Sequence, residues 1–166
     1  LPPIVRHGSA ALQNAVVPRV LRGERIAALA ITEPGGGTDV SALKTTARRE
    51  GDEYVIDGEK IFITSGMRAD WITVAVRTDL QNKGPMGISM VVVPGDAVGL
   101  SRSPLKKMGW LCSDTAHLRF DGVRVPVANR VGEEGEGFKI ILTNFNGERL
   151  GMSAMALGFS ECCYDE

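Results

Sequence analysis

Thr45-Thr46-Ala47-Arg48-Arg49-Glu50-Gly51-Asp52-Glu53-Tyr54-Val55-Ile56-Asp57-Gly58-Glu59-Lys60-Ile61-Phe62-Ile63-Thr64 is the stretch that decides the fold. Residues 45–49 and 54–56 are short strand-like runs, and Glu50-Gly51-Asp52-Glu53 between them has the composition of a hairpin turn. Asp57-Gly58 then separates residues 54–56 from the apolar run 60–64, the strongest short hairpin signal in the chain. Working outward, residues 71–76 and 88–93 are apolar and β-branched, and residues 117–120 and 123–125 flank a second Asp-Gly, Asp121-Gly122. Many short strands with regularly spaced turns predict a mainly β fold, an antiparallel β-sandwich or barrel, and not a doubly wound parallel sheet.

The two ends read differently. Residues 9–22 are rich in Ala, Leu, Val and Gln and read as a helix interrupted by Pro18, with Gly23 ending it. The apolar run 26–32 enters Glu33-Pro34-Gly35-Gly36-Gly37, where no helix survives, so it is a strand leading into a loop. After Gly137 the period changes. Phe138, Ile141, Leu142, Phe145, Arg149, Met152, Ala156, Phe159 and Cys163 recur at steps of three and four, one face of a long helix. Gly147, Gly151 and Gly158 within it imply close packing against a neighbour. The chain opens on Leu1 and stops inside a helical pattern, as expected of a part of a longer polypeptide.

Composition narrows the function classes. With 43% hydrophobic and 23% charged residues the chain has the balance of a globular domain, and a net charge of -1 argues against a general nucleic-acid binder. The three cysteines, Cys112, Cys162 and Cys163, form no CxxC pair, so neither a disulfide framework nor a zinc site is expected; the adjacent pair reads as reduced thiols on a helix. His7 reads as a surface or helix-start residue and His117 as a strand residue, and no metal site is expected. No apolar run reaches the ~18 residues of a membrane span, and no signal peptide is visible.

The loop Ala30-Ile31-Thr32-Glu33-Pro34-Gly35-Gly36-Gly37-Thr38-Asp39 carries the chemistry. Its glycines let main-chain N–H groups converge, which suits a phosphate, and Thr32 and Thr38 add hydroxyls. By composition alone it is equally a tight loop between strands.

The string resembles the signature of the acyl-CoA dehydrogenase family: a small residue, an aliphatic, Ser/Thr, Glu, two free positions, a small residue, Gly, Ser/Thr, Asp, with Ala42 three positions further on. Asp57-Gly58-Glu59-Lys60-Ile61-Phe62-Ile63-Thr64-Ser65-Gly66 is similar to the family's second flavin segment. Lys107-Met108-Gly109, Asp114-Thr115 and Gly132-Glu133-Glu134-Gly135-Glu136-Gly137-Phe138 follow in the family's order, so the resemblance runs from about Val5 to Glu166.

The resemblance implies residues 1–22 as the end of an N-terminal helical domain, 23–135 as the middle β-barrel domain, and 136–166 as the first long helix of a C-terminal helical domain. It implies FAD as cofactor, with Leu29, Ala30, Ile31, Thr32, Gly36, Gly37 and Thr38 lining it. Thr32 would lie near the pyrimidine end of the ring, and Thr38 at the pyrophosphate and close to the acyl-CoA. Phe62, Ile63 and Thr64 would lie along the isoalloxazine, Phe62 standing where the family usually has Trp. The implied reaction is α,β-dehydrogenation of an acyl-CoA thioester to a trans-2-enoyl-CoA, with electrons passed to an electron-transfer flavoprotein. A homo-oligomer, tetramer or dimer, is implied, in the cytoplasm if bacterial and the mitochondrial matrix if eukaryotic.

The base is a carboxylate in this chemistry. Asn146-Gly147-Glu148-Arg149-Leu150 matches the arrangement of the isovaleryl and long-chain branches, which makes Glu148 the candidate base, with Asn146, Gly147 and Arg149 on the substrate side. The plain alternative is an exposed helix Glu paired with a neighbouring Arg, the base then lying late in the C-terminal domain as in most branches of the family. Two other readings of the whole stay open: an acyl-CoA oxidase or flavin monooxygenase on the same scaffold, and a β-sandwich binding module without catalysis.

Overall fold

The computed structural model describes residues 1–166. Two helices, α1 (Pro2–His7) and α2 (Ala10–Leu21), precede eight strands, and a single long helix follows them. The strands are β1 (Ala27–Ala30), β2 (Thr46–Glu50), β3 (Glu53–Thr64), β4 (Trp71–Arg77), β5 (Ile88–Pro94), β6 (Leu100–Pro104), β7 (Thr115–Pro126) and β8 (Arg130–Val131); the helix is α3 (Gly137–Asp165). They form one sheet in the order β6-β7-β3-β2-β4-β5-β8, with β1 beside β4. The pairing is mostly antiparallel, but β1 runs parallel to β4, and β2 meets β4 in parallel at Thr46 and Arg77. The sheet is therefore mixed, with both parallel pairings at β4, where the sequence reads as antiparallel.

The turn at Gly51-Asp52 is where the sequence places it, with Glu50 opposite Glu53. The Asp-Gly hairpins are not. Residues 53–64 form one continuous strand, and so do residues 115–126, and these two long strands pair with each other. Asp57-Gly58 and Asp121-Gly122 meet in the middle of that ladder, where the register shifts between Ile56 and Gly58 and the Gly122 N–H donates to Asp57 Oδ1 at 2.8 Å. Gly58 is required by a tertiary contact. Its φ is +144°, and a Cβ there would lie 2.7 Å from the Thr45 Cα. The glycine that reads locally as a turn is thus a close approach inside a strand.

A central core lies where the β3–β7 half of the sheet closes on β1, β4 and β5. It holds Ala28, Ala30, Tyr54, Ile56, Ile63, Ile72, Val74, Val91, Leu118 and Val123. A second core joins the other face of β4 and β5 to all three helices through Ile4, Leu12, Val16, Ala75, Met90, Val92, Ile140 and Ile141. Ser9 caps α2 by accepting the Leu12 N–H, and the helix runs through Pro18 to Leu21. Pro18 falls in the last turn, where a missing N–H costs a single hydrogen bond, so it does not interrupt the helix as expected. His7 is exposed at the end of α1, a surface residue as expected and not a helix start, and His117 lies on β7 as expected.

The long helix also departs from its expected stripe. Gly137, Ile140, Ile141 and Asn144 are its buried residues, whereas Leu142, Leu150, Met152, Leu157 and Phe159 are exposed. Gly137 packs directly on β5, since a Cβ would lie 2.6 Å from the Ser89 carbonyl carbon. Nothing approaches Gly147, Gly151 or Gly158. No helix is long and apolar enough to cross a membrane.

Candidate active site

Three segments converge at the end of β1. The strand leaves the central core at Ala30, and Ile31 and Thr32 continue into the Gly35-Gly36-Gly37 loop. Beside them β3 breaks its pairing with β7, as the register shifts between Lys60 and Ile63. The extra residue is a bulge. It frees the Ile61 N–H to donate to the Thr32 carbonyl at 2.9 Å and throws Phe62 outward at φ +62°, 66% exposed. A bulge that re-aims a side chain is a common device beside functional sites.

The result is a cleft of about 330 Å³ lined by Ala27, Ala28, Leu29, Ile31, Thr32, Phe62, Ile63, Thr64, Ser65, Phe145 and Glu148. Six of the cofactor residues named from sequence meet here: Leu29, Ile31, Thr32, Phe62, Ile63 and Thr64. The candidate base is at the same cleft, brought from more than eighty residues away in the chain. Its carboxylate accepts from Asn144 Nδ2 at 2.6 Å, one turn back on α3. The expected alternative pairing with Arg149 does not form. The Arg149 guanidinium lies over the Phe145 ring, 5.8 Å from its centroid, and donates to Asn146 Oδ1 at 3.1 Å.

Gly36, Gly37 and Thr38 lie apart from this cleft, in an adjoining hollow of about 230 Å³ with Glu33, Gly35, Asp39, Ala42, Leu43 and Lys44. Asp39 caps the short 3₁₀ turn Val40–Ala42 by accepting the Ser41 N–H at 3.0 Å. Ala30 is fully buried in the central core and lines neither hollow. Asn146, Gly147 and Arg149 line neither hollow and are exposed on α3.

Sequence reasoning missed the group that holds this corner together. Lys60 is completely buried and donates to the Ile31 carbonyl at 2.9 Å and to Glu33 Oε1 at 2.8 Å. Glu33 also accepts the main-chain N–H groups of Lys44 at 2.6 Å and Thr45 at 2.9 Å. Burial pushes the Lys60 ammonium down to about 8, although Glu33 opposes this. Burial also disfavours the Glu33 carboxylate, but the Lys60 charge and the hydrogen bonds from Lys60, Thr45 and Lys44 outweigh it and hold Glu33 below its ordinary value. The available signal was a Lys directly before the apolar residues Ile61-Phe62-Ile63; nothing local identified its partner. Ala27, Ala28 and Ser65 were also unmarked as cleft residues. Asp114 secures the far end of the wall. It accepts the Met67 N–H at 2.8 Å and pairs with Arg68 at 2.6 Å, while its carbonyl accepts the Ser65 N–H at 3.0 Å.

A mixed β-barrel-like sheet between helices, with a glycine loop beside an apolar cleft, defines a class of small-molecule-binding domain. The sequence profile for the acyl-CoA dehydrogenase middle domain matches residues 28–123, and the chain belongs to the acyl-CoA dehydrogenase family. It is 41% identical to cyclohexane-1-carbonyl-CoA dehydrogenase of Geobacter metallireducens, covering 99% of this chain and 43% of that protein. A probable acyl-CoA dehydrogenase from Mycobacterium abscessus superposes with a TM-score of 0.88 at 51% identity, covering 91% of this chain and 40% of that one. A chain from the structure of the electron transferring flavoprotein of Acidaminococcus fermentans superposes with a TM-score of 0.91 at 39% identity, over 96% of this chain and 42% of its own length. The chain thus spans about two fifths of the relatives it matches.

Proposed function

We propose that this chain is the catalytic middle of an FAD-dependent acyl-CoA dehydrogenase that converts an acyl-CoA thioester to a trans-2-enoyl-CoA. The single observation that carries the reading is the shared cleft: the Thr32 strand end, the Phe62-Ile63-Thr64 bulge and Glu148 line one cavity. Residues 1–22 and 136–166 belong, on this reading, to helical domains on either side of the β-domain at 23–135.

The residues present fit the cofactor. Aliphatic side chains and the Phe62 ring offer a flat apolar slot, and the Thr32 and Thr64 hydroxyls offer polar groups at its edge. The Gly37 and Thr38 amides have no acceptor within the chain, and the space over Gly35 and Gly36 is open, as a phosphate cradle requires. Bound FAD supplies the two-electron acceptor for the hydride that leaves the substrate Cβ. Glu148 takes the α-proton of the thioester, so the substrate loses one proton and one hydride and gains a double bond. Asn144 holds the carboxylate in place by its 2.6 Å hydrogen bond. Phe145 and Ile63 keep water from the reacting carbons. Asn146, Gly147 and Arg149 continue α3 toward the CoA side, the arrangement of the isovaleryl and long-chain branches.

The proposed electron acceptor is an electron-transfer flavoprotein, and the proposed assembly is a homotetramer or dimer. The likeness to the Acidaminococcus chain supports the acceptor. The test is anaerobic addition of acyl-CoAs of graded length to the full-length flavoprotein. Bleaching of the flavin, followed by turnover that depends on added electron-transfer flavoprotein, is expected. Turnover at the same rate with O2 alone identifies an oxidase on the same scaffold, and a colourless full-length protein leaves only a binding module.

A further inference from the structure

The most unusual buried group outside the reacting atoms is the Glu33–Lys60 pair. It lies neither in the cleft nor in the core clusters but between them, and its hydrogen bonds reach three separate segments. Lys60 belongs to β3, two residues before the outward-turned Phe62. It donates to Ile31, the residue before Thr32 on the opposite wall of the cleft. Glu33 follows Thr32 directly and bonds Lys44 and Thr45, eleven and twelve residues further on, where the glycine loop ends. Thr45 in turn donates from its hydroxyl to the Glu59 carbonyl at 3.2 Å, returning to β3. The ring of contacts closes on itself: loop entry, loop exit and bulged strand are each tied to the other two.

Resting on the reading above, we propose that Glu33 and Lys60 are positioning residues that set the cofactor site by fixing its two halves against each other. Glu33 draws the ends of the glycine loop together, so the hollow over Gly35–Thr38 keeps its shape. Lys60 locks that closed loop to β3, so Thr32 and Phe62-Ile63-Thr64 remain on facing sides of one cleft. Neither residue lines the 330 Å³ cleft, and Glu33 borders the adjoining hollow. Their effect on the cofactor is therefore exerted through Thr32, Phe62 and the loop amides. The Lys60 ammonium meets Ile31 O and Glu33 Oε1 alone, which leaves its geometry set by those two partners. A neutral residue of similar length fills the same space without either tie.

The test compares Lys60→Met with the parent in the full-length protein, using three readouts: thermal stability, the FAD dissociation constant of the apoprotein by fluorescence titration, and amide hydrogen exchange by segment. Lys60→Met is expected to raise the FAD dissociation constant at least tenfold. Exchange should speed up at residues 32–45 and 61–64 while β4 and β5 stay at the parental rate. Exchange that rises equally across all strands shows a merely structural pair and overturns the proposal, as does an FAD dissociation constant within twofold of the parent. If Lys60→Met does not fold, Lys60→Met/Glu33→Gln leaves no buried charge unpaired and carries the same readouts. A parent that binds no FAD overturns the proposed function, while the exchange pattern still decides whether the pair ties loop to strand.

Discussion

Glu148 is the residue on which the proposed chemistry turns. It is exposed on α3, borders the cleft and is held by Asn144, so it is oriented without being sealed. Glu148→Gln keeps the size and the hydrogen bond but removes the proton acceptor. In the full-length enzyme it should leave FAD bound and slow flavin reduction by roughly 10²-fold or more; stopped-flow reduction at the parental rate would assign Glu148 a structural part. Thr38→Val removes one hydroxyl from the glycine-loop hollow and should weaken FAD binding by about 1–3 kcal/mol, read as the dissociation constant. Glu33, besides the positioning part proposed for it, contributes to stability. Its folded value lies below the ordinary 4.5, so the stability it adds is complete above that pH and disappears as pH falls through the folded value. Glu33→Gln removes the partner of the buried Lys60 amine and should cost about 3–5 kcal/mol at neutral pH. Urea midpoints measured from pH 7 down to 3 should then converge, because only the parent has a carboxylate to lose. Parallel curves would mean that Glu33 is not ionised in the fold.

At the scale of elements, the paired long strands β3 and β7 carry two irregularities with different jobs. Gly58 of β3, at the register shift opposite Asp121-Gly122 of β7, absorbs the close approach of Thr45, and the Ile61-Phe62 bulge builds the cleft. Gly58→Ala should therefore destabilise the domain by at least about 1–3 kcal/mol, the cost of a side chain in a disfavoured backbone region, before the clash with Thr45 is added. Equilibrium denaturation measures it, and a loss under about 0.5 kcal/mol, the level of an ordinary surface change, would mean the ladder relaxes around a Cβ. The sequence shows the alternating apolar residues and the glycines but not which glycine turns the chain. A hairpin Asp-Gly and a mid-strand Asp-Gly are identical locally. Only the partner strand, sixty residues away, separates them. The polar strand β6, Leu-Ser-Arg-Ser-Pro, escaped notice for a related reason: it has no apolar alternation, and pairing with β7 alone makes it a strand.

At the scale of the molecule, α3 is anchored only by its first two turns. Beyond Phe145 it is exposed on every side, with Leu150, Met152, Leu157, Phe159 and Tyr164 in solvent. Most helical stability comes from tertiary packing of one face, which this segment lacks, and Gly147, Gly151 and Gly158 weaken it further. In the 166-residue chain alone, amides from residue 146 onward should exchange orders of magnitude faster than those of β4 and β5. The same chain should retain FAD poorly. Slow exchange throughout α3, or stoichiometric FAD after gel filtration of the chain alone, would show that these residues are self-sufficient.

The sequence by itself determined a great deal here. The spacing of strands and turns specified a β-domain between helices, the change of period after Gly137 located the last helix, and the Thr32–Asp39 loop marked the candidate site. These signals are local, because apolar periodicity and turn chemistry act over a few residues. What the tertiary structure alone decided is how distant pieces meet. It joined residues 53–64 and 115–126 as two unbroken strands, laid β1 parallel to β4, and brought Glu148 to the cleft beside Thr32 and Phe62. It also buried Lys60 against Glu33, a pairing that no local rule anticipates. Removing a charge from water is tolerable only when an opposite charge and further hydrogen bonds await it. Those partners come from three segments far apart in the chain, so the pair exists only once the fold does.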